Sequence, residues 1–212
     1  MAITATNESG SGFEPIPAGS YAARCYSMVH IGTVETSYEG QKKLQNKVRI
    51  TWELPTELKV FKEEEGERPM VISREFTLSM HEKSALRKFL ESWRGKAFSD
   101  EEARSFDVTK LLGKECLISI LTKEKEGKKY AEISGVSTLP KGMVCPAQIN
   151  NTFEFNYDPF DIEKFSCLPE WLRKRMEATP EFKKAFGYTQ EQQDAMHGEE
   201  FLKEVAGDDL PF

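Results

Sequence analysis

From Lys43 to Leu54 the chain alternates with a period of two. Leu44, Asn46, Val48, Ile50, Trp52 and Leu54 fall on one side, and Lys43, Gln45, Lys47, Arg49 and Thr51 on the other. That is the period of an extended strand, whose successive side chains point to opposite faces of a sheet. One face of this strand has to be buried and the other carries a row of cations. The remaining sequence must supply a partner for each.

The same period recurs on both sides of this segment. A first strand is expected over Gly19 to Ile31 (Tyr21, Ala23, Cys25, Met28), after the turn signal Pro15-Ile16-Pro17-Ala18-Gly19. A polar loop, Gly32 to Lys42, separates it from the second. A third strand is expected over Met70 to Met80, following a charged hairpin tip from Lys62 to Arg68. At Ser79 the period changes: Ala85, Leu86, Phe89, Leu90 and Trp93 recur at spacings of three and four, which predicts an amphipathic helix ended by Gly95. A shorter segment, Asp100 to Leu112, leads into the turn Leu112-Gly113-Lys114. Two further strands, Cys116 to Lys123 and Tyr130 to Leu139, flank a loop from Glu124 to Lys128. The order strand, strand, strand, helix, strand, strand predicts a mainly β protein with added helices. The architecture that uses this order is the OB-fold, a five-stranded, partly open barrel with a helix between its third and fourth strands.

Around this core, residues 1–12 are small and polar and are expected to be a disordered lead-in, with the OB-fold domain over 13–140. Residues 141–190 read as an extension packed on the barrel through Phe153, Phe155, Tyr157 and Phe160. It carries two short helices, one started by Pro169 and one capped at Thr179-Pro180-Glu181. Residues 191–212 read as a flexible acidic tail. The net charge of -6 hides a split: residues 14–140 hold 21 basic and 20 acidic side chains, whereas residues 141–212 hold 8 and 14. The overall acidity therefore does not oppose phosphate binding by the first part.

Sequence-independent binding of a single strand needs cations along the backbone and aromatic faces on which bases stack. The expected second strand and 1-2 loop offer Lys42, Lys43, Lys47 and Arg49 beside Tyr38 and Trp52. Arg74 and Phe76 come from the third strand, and Lys123, Lys125, Lys128, Lys129 and Tyr130 from the last hairpin. An alternating cationic strand also suits a plain solvated face, and Trp52 and Phe76 lie in the apolar register. At the C-terminus Asp208 and Asp209 precede Leu210-Pro211-Phe212, an apolar hook behind two carboxylates. A basic-rimmed pocket on a partner protein could clamp it.

Asp208-Asp209-Leu210-Pro211-Phe212 resembles the acidic tip of bacterial single-stranded-DNA-binding proteins, which implies recruitment of replication and recombination proteins. Gly113-Lys114-Glu115-Cys116-Leu117-Ile118, Gly127-Lys128-Lys129-Tyr130-Ala131-Glu132-Ile133, Val136-Ser137 and Leu139-Pro140-Lys141-Gly142 resemble the last hairpin of phage or prophage proteins with OB-type barrels. Leu168-Pro169-Glu170-Trp171-Leu172 is similar to that group as well. The chain departs from the bacterial family in its N-terminal strand pattern, in lacking a long Gly/Gln/Pro-rich linker and in adding residues 141–190. A homo-oligomer is therefore left open, and a tetramer is not implied.

Other classes find less support. No apolar run approaches the roughly 20 residues that span a bilayer, and the N-terminus has no apolar signal core, so a cytoplasmic protein without membrane contact is expected. Cys25, Cys116, Cys145 and Cys167 are far apart and the three histidines (His30, His81, His197) have no metal spacing, so no metal or other cofactor is expected. No nucleophile, phosphate-loop or metalloprotease motif occurs, so no catalytic residues are assigned. The alternative is a structural or assembly protein whose barrel binds only protein.

Overall fold

The computed structural model describes residues 15–38, 41–61 and 63–187. The expected lead-in, Lys62 in the hairpin tip, and the expected acidic tail with Asp208, Asp209, Leu210, Pro211 and Phe212 lie outside the described residues.

The fold is mainly β. Two strands of 20 residues each, β1 (Gly19–Tyr38) and β2 (Gln41–Val60), form a long antiparallel hairpin. β3 (Glu67–Thr77) pairs with β2, and β4 (Glu115–Lys125) with the first part of β1. β5 (Lys128–Ser137) pairs with β4, giving the antiparallel order β3-β2-β1-β4-β5. A three-residue strand, β6 (Phe153–Phe155), then takes the edge of β1 that β4 leaves free, parallel to Ser27, Met28 and Val29. Helix α1 (Ala85–Arg94) lies between β3 and β4 in sequence and packs against both β3 and β5. Ser84 caps its start and Gly95, at φ 66°, ends it in the left-handed conformation that glycine adopts without strain. Short helices α2 (Asp100–Arg104), α3 (Ile162–Ser166) and α4 (Glu170–Glu177) follow, and residues 180–187 are helical. Among the described residues no helix is long and apolar enough to cross a membrane.

The element order is the expected one, but the sheet is not closed. β3 and β5 are its two edges and exchange no backbone ladder. They approach each other under α1, and one side chain spans the gap: the Arg74 guanidinium donates to the Ile133 carbonyl at 3.3 Å. The inner face of the sheet and α1 enclose the main core. Its centre is a cluster of rings from β2, β3 and α1, with Trp52 5.6 Å from Phe89 and 5.7 Å from Trp93, and Phe76 4.8 Å from Phe89.

Register irregularities at Tyr26 and Ile31 change which residues of β1 reach that core. Ala23, Cys25 and Met28 enter it, whereas Val29, Ile31 and Val34 belong to a second core beneath the extension. There Phe155, Phe165, Leu168, Leu172 and Met176 are buried on the outer side of β1. The aromatics of residues 153–160 fold back onto the sheet as expected, although the strand they form was not.

Where the polar loop Gly32 to Lys42 was expected, β1 and β2 continue as a ribbon to Tyr38 and Gln41. Beyond Lys47, β2 no longer pairs with β3, so the ribbon has two neighbours fewer and no apolar face to announce it. The last hairpin is also tighter than expected: Glu126 and Gly127 turn it with φ 53° and 73°, the pair of positive values that a two-residue hairpin turn requires.

Between β5 and β6 the chain runs as a strap held by two charges, one buried and one half-buried. Glu53, fully buried in β2, accepts hydrogen bonds from the amides of Ile149 and Asn150 at 2.7 and 2.8 Å. Its cross-strand neighbour Arg24 donates to the carbonyls of Gly113, Cys145 and Pro146 at 2.8–3.1 Å. Hydrogen bonds to a charged group contribute roughly 1.5–3 kcal/mol each. Glu53→Ala is therefore expected to cost about 2–4 kcal/mol in urea unfolding, with the largest gain in amide hydrogen exchange over residues 145–155. A loss below about 0.5 kcal/mol would mean that the strap is held by something else.

Candidate nucleic-acid interface

Lys47 and Arg49 stand on the outer face of β2 with Glu75 and Thr77 of β3 beside them, as the alternation requires. Lys47 donates to Thr77 Oγ1 at 3.1 Å. Arg49 Nη1 is 3.5 Å from Glu75 Oε1. Helix α4 lies over this face: Arg175 Nη1 reaches both Glu75 oxygens at 2.8 Å, and the Trp171 ring covers the Arg49 guanidinium at 5.0 Å. One carboxylate is thus shared by two guanidiniums, with the Lys47 ammonium close by. Burial lowers the basicity of Lys47 and of Arg49, and the charge of Glu75 opposes that in both. A half-buried cluster with more cations than anions is suited to a further anion.

Alongside α4 a groove crosses the outer face. A cavity of about 470 Å³ is bounded by Tyr26, Arg49, Thr51, Phe153 and Trp171, and one of about 600 Å³ by Phe61, Arg68 and Ile149. Val71, Asn150 and Asn151 border both, so the two are continuous. The strap is one wall and α4 closes one end. Trp171 is 51% exposed and Phe61 41%, which leaves ring surface open in the groove. The Tyr26 hydroxyl has a raised pKa, first through burial and then through the charge of Glu53. It stays neutral near pH 7.

The remaining candidates are spread over the molecule. Trp52 is fully buried and Phe76 nearly so, each packed ring against ring. Neither offers a stacking face, because their register is the core register. Arg74 points inward: besides bonding Ile133 O it lies 5.0 Å from the Phe76 ring and 5.4 Å from that of Phe89. Its work is to span the open seam. Lys42 and Lys43 are exposed on the β1–β2 ribbon, Lys42 pairing with Glu35 at 2.8 Å, and Tyr38 ends β1 opposite Gln41. In the last hairpin Lys123 bonds Glu132 at 2.8 Å, which raises its pKa. Lys125 stands directly across from Lys128, Lys129 across from Glu124, and Tyr130 is 40% exposed. Like charges facing across a hairpin repel unless an anion bridges them.

Sequence reasoning missed Tyr26, Phe61, Arg68, Asn150, Asn151, Phe153, Trp171 and Arg175. Only Tyr26 carried a local signal, an aromatic out of register in a half-buried strand. Another cavity, of about 700 Å³, lies elsewhere, between residues 78–82 and 100–108. Its Arg87 is consumed by Glu91, Phe98 O and Met80 O, and acids and bases alternate around it, so it does not suit a polyanion. Among the described residues no three histidine, cysteine or acidic side chains are grouped to hold a metal ion. No model of a known protein family and no curated protein sequence matches this chain.

Besides Leu172 and Met176 in the second core, Glu75 ties α4 to the sheet through Arg175. Glu75→Gln removes the charge that Arg49 and Arg175 share, so faster hydrogen exchange in Glu170–Glu177 is expected with little change in the main core. Unaltered exchange would show that Leu172 and Met176 alone hold the helix.

Proposed function

We propose that this protein binds single-stranded DNA without marked sequence preference, on an open variant of the OB barrel, in DNA replication or recombination. The strand lies in the groove on the outer face of β2 and β3. The observation that carries this reading is the half-exposed Trp171 ring stacked on Arg49 at the head of that groove. A ring on a cation offers a base both stacking and charge, and the arrangement is indifferent to which base arrives. Tyr26, Phe153 and Phe61 supply further ring surface along it, and Arg68 a cation at the far end. Lys42, Lys43, Lys125, Lys128 and Lys129 bind phosphates from the two projecting hairpins. In this reading the segment Asp208–Phe212 recruits replication proteins, in keeping with its resemblance to the bacterial tip.

The second reading, an assembly protein that binds only protein, is favoured by the apolar part of the groove, where Val71 is 43% and Ile149 43% exposed. Salt separates the two. Affinity for fluorescent oligo-dT should fall steeply with ionic strength, and Lys125→Ala with Lys128→Ala should reduce the slope by about one unit for each phosphate no longer neutralised. Trp171→Ala should weaken binding roughly 5- to 150-fold, the equivalent of about 1–3 kcal/mol, while leaving the thermal transition nearly unchanged. Trp171→Phe should recover most of the affinity. No binding at low salt by the folded protein would leave the protein-only reading.

A further inference from the structure

The head of the groove is walled on three sides. At the row where Arg49 faces Glu75, helix α4 crosses the sheet and closes it with Trp171 and Arg175. Two outward rows further along β2, the strap is held down on Glu53 by its two amide bonds. Toward β1 the corner between β6 and the end of α3 rises, with Phe153 and Leu168 at its face. The side toward β3 stays open and runs past Val71, which borders both cavities, to Arg68 and Phe61. A chain that enters from β3 therefore meets a wall at the other end.

This closed end is rich in hydrogen-bond donors and has no acid. None of the residues that bound the cavity of about 470 Å³ is an aspartate or a glutamate. Arg49 turns one guanidinium nitrogen to Glu75 at 3.5 Å, and its other N–H groups meet no acceptor among the described residues. The hydroxyls of Thr51 and Ser73 lie 2.9 Å apart and share one hydrogen bond, which leaves one hydroxyl proton over. The half-buried Tyr26 hydroxyl and the side-chain amide of Asn151 have no partner among the described residues. Donors that converge where no carboxylate competes suit an acceptor with full negative charge. The open face of Trp171 suits a flat ring beside it. A phosphorylated nucleotide supplies both, and the cavity falls in the range of roughly 300–1,000 Å³ usual for small-ligand sites.

We infer that this pocket receives the phosphorylated end of a single strand. The terminal phosphate lies among Arg49, Thr51, Ser73 and Tyr26, the terminal base lies on Trp171, and the rest of the chain leaves past Val71 toward Arg68 and Phe61. A terminal phosphomonoester carries a charge of about -1.5 to -2 near pH 7, against about -1 for an internal diester. A closed, donor-rich pocket thus favours the end of a strand over its middle, both by charge and because a continuous strand would have to climb over α4 or the strap. The inference deepens the reading of the groove as a single-strand site and rests on it. It gives the protein a way to tell a strand with a free phosphorylated end from an uninterrupted one.

Competition between short oligo-dT ligands for the full-length protein, read by fluorescence anisotropy, tests this. Either the 5′-phosphoryl or the 3′-phosphoryl strand is expected to bind about tenfold more tightly than the same strand with hydroxyl ends, and the arm that gains identifies the end. A covalently closed circle of oligo-dT should bind no more tightly than the hydroxyl-ended strand. Thr51→Val with Ser73→Ala removes both hydroxyls of the pair and leaves neither unpaired, so the thermal transition should stay close to that of the parent while the ratio between phosphoryl and hydroxyl ligands falls to about one. Tyr26→Phe keeps the ring and loses the donor, and should lower the same ratio. Equal affinity for phosphoryl, hydroxyl and circular ligands would overturn the inference and leave the groove standing as a strand site. A preference that survives in both variants would place end recognition outside this pocket, and no binding of any oligonucleotide would remove the inference together with the reading it rests on.

Discussion

The buried carboxylate of Glu53 is the group on which the arrangement of the outer face depends. It lies in the middle of β2, where removal from water is costly, and the two strap amides that it accepts offset that cost. Arg24, opposite it on β1, holds the strap carbonyls from the other side. With Cys145, Pro146, Ile149 and Asn150 fixed, the chain enters β6 beside Ser27–Val29, and the second core has to form on the outside of β1. That core positions α3 and α4, and α4 brings Trp171 and Arg175 to Arg49 and Glu75. The groove is what remains open between strap and helix.

Two faces of one sheet therefore do different work. The inner face is apolar and carries stability: burying one ring or branched side chain there contributes roughly 1.5–3 kcal/mol. The outer face is half polar and half covered. Cationic strands left bare would repel each other. Here Glu75 moderates that repulsion without cancelling it, and the Trp171 ring is laid on the Arg49 guanidinium. The unclosed seam between β3 and β5 has its own remedy, an arginine whose guanidinium sits against two rings and bonds a carbonyl of the opposite edge.

The alternation from Val48 to Leu54 already contained the inner face of β2, although Leu44 in the same register is exposed on the ribbon, and Gly95 and Thr179 marked helix boundaries that the fold uses. The same alternation also placed Trp52 in the core, and reading it as a stacking platform set composition against register; register decided the matter. Arg74 went inward for a reason invisible locally, since the edge that it spans lies 59 residues further along the chain. Glu53 looks like any acid in the outward register, and its amide partners are 96 and 97 residues away. The ribbon tip escaped notice because a strand with both faces in water needs no periodicity. Trp171 could be read as helical but not as part of a site, because only packing on β1 brings α4 across β2.

We propose the outer face of β2 and β3, under Trp171, as the place where a single strand lies. Ultraviolet cross-linking of oligo-dT to the folded protein, followed by peptide mapping, tests it most directly. Thymine adducts are expected on Trp171, Phe153, Tyr26 or Phe61, lost when salt is raised or unlabelled strand is added. Adducts confined to residues around α1 and α2, or none in a protein whose α4 exchange is intact, would contradict it.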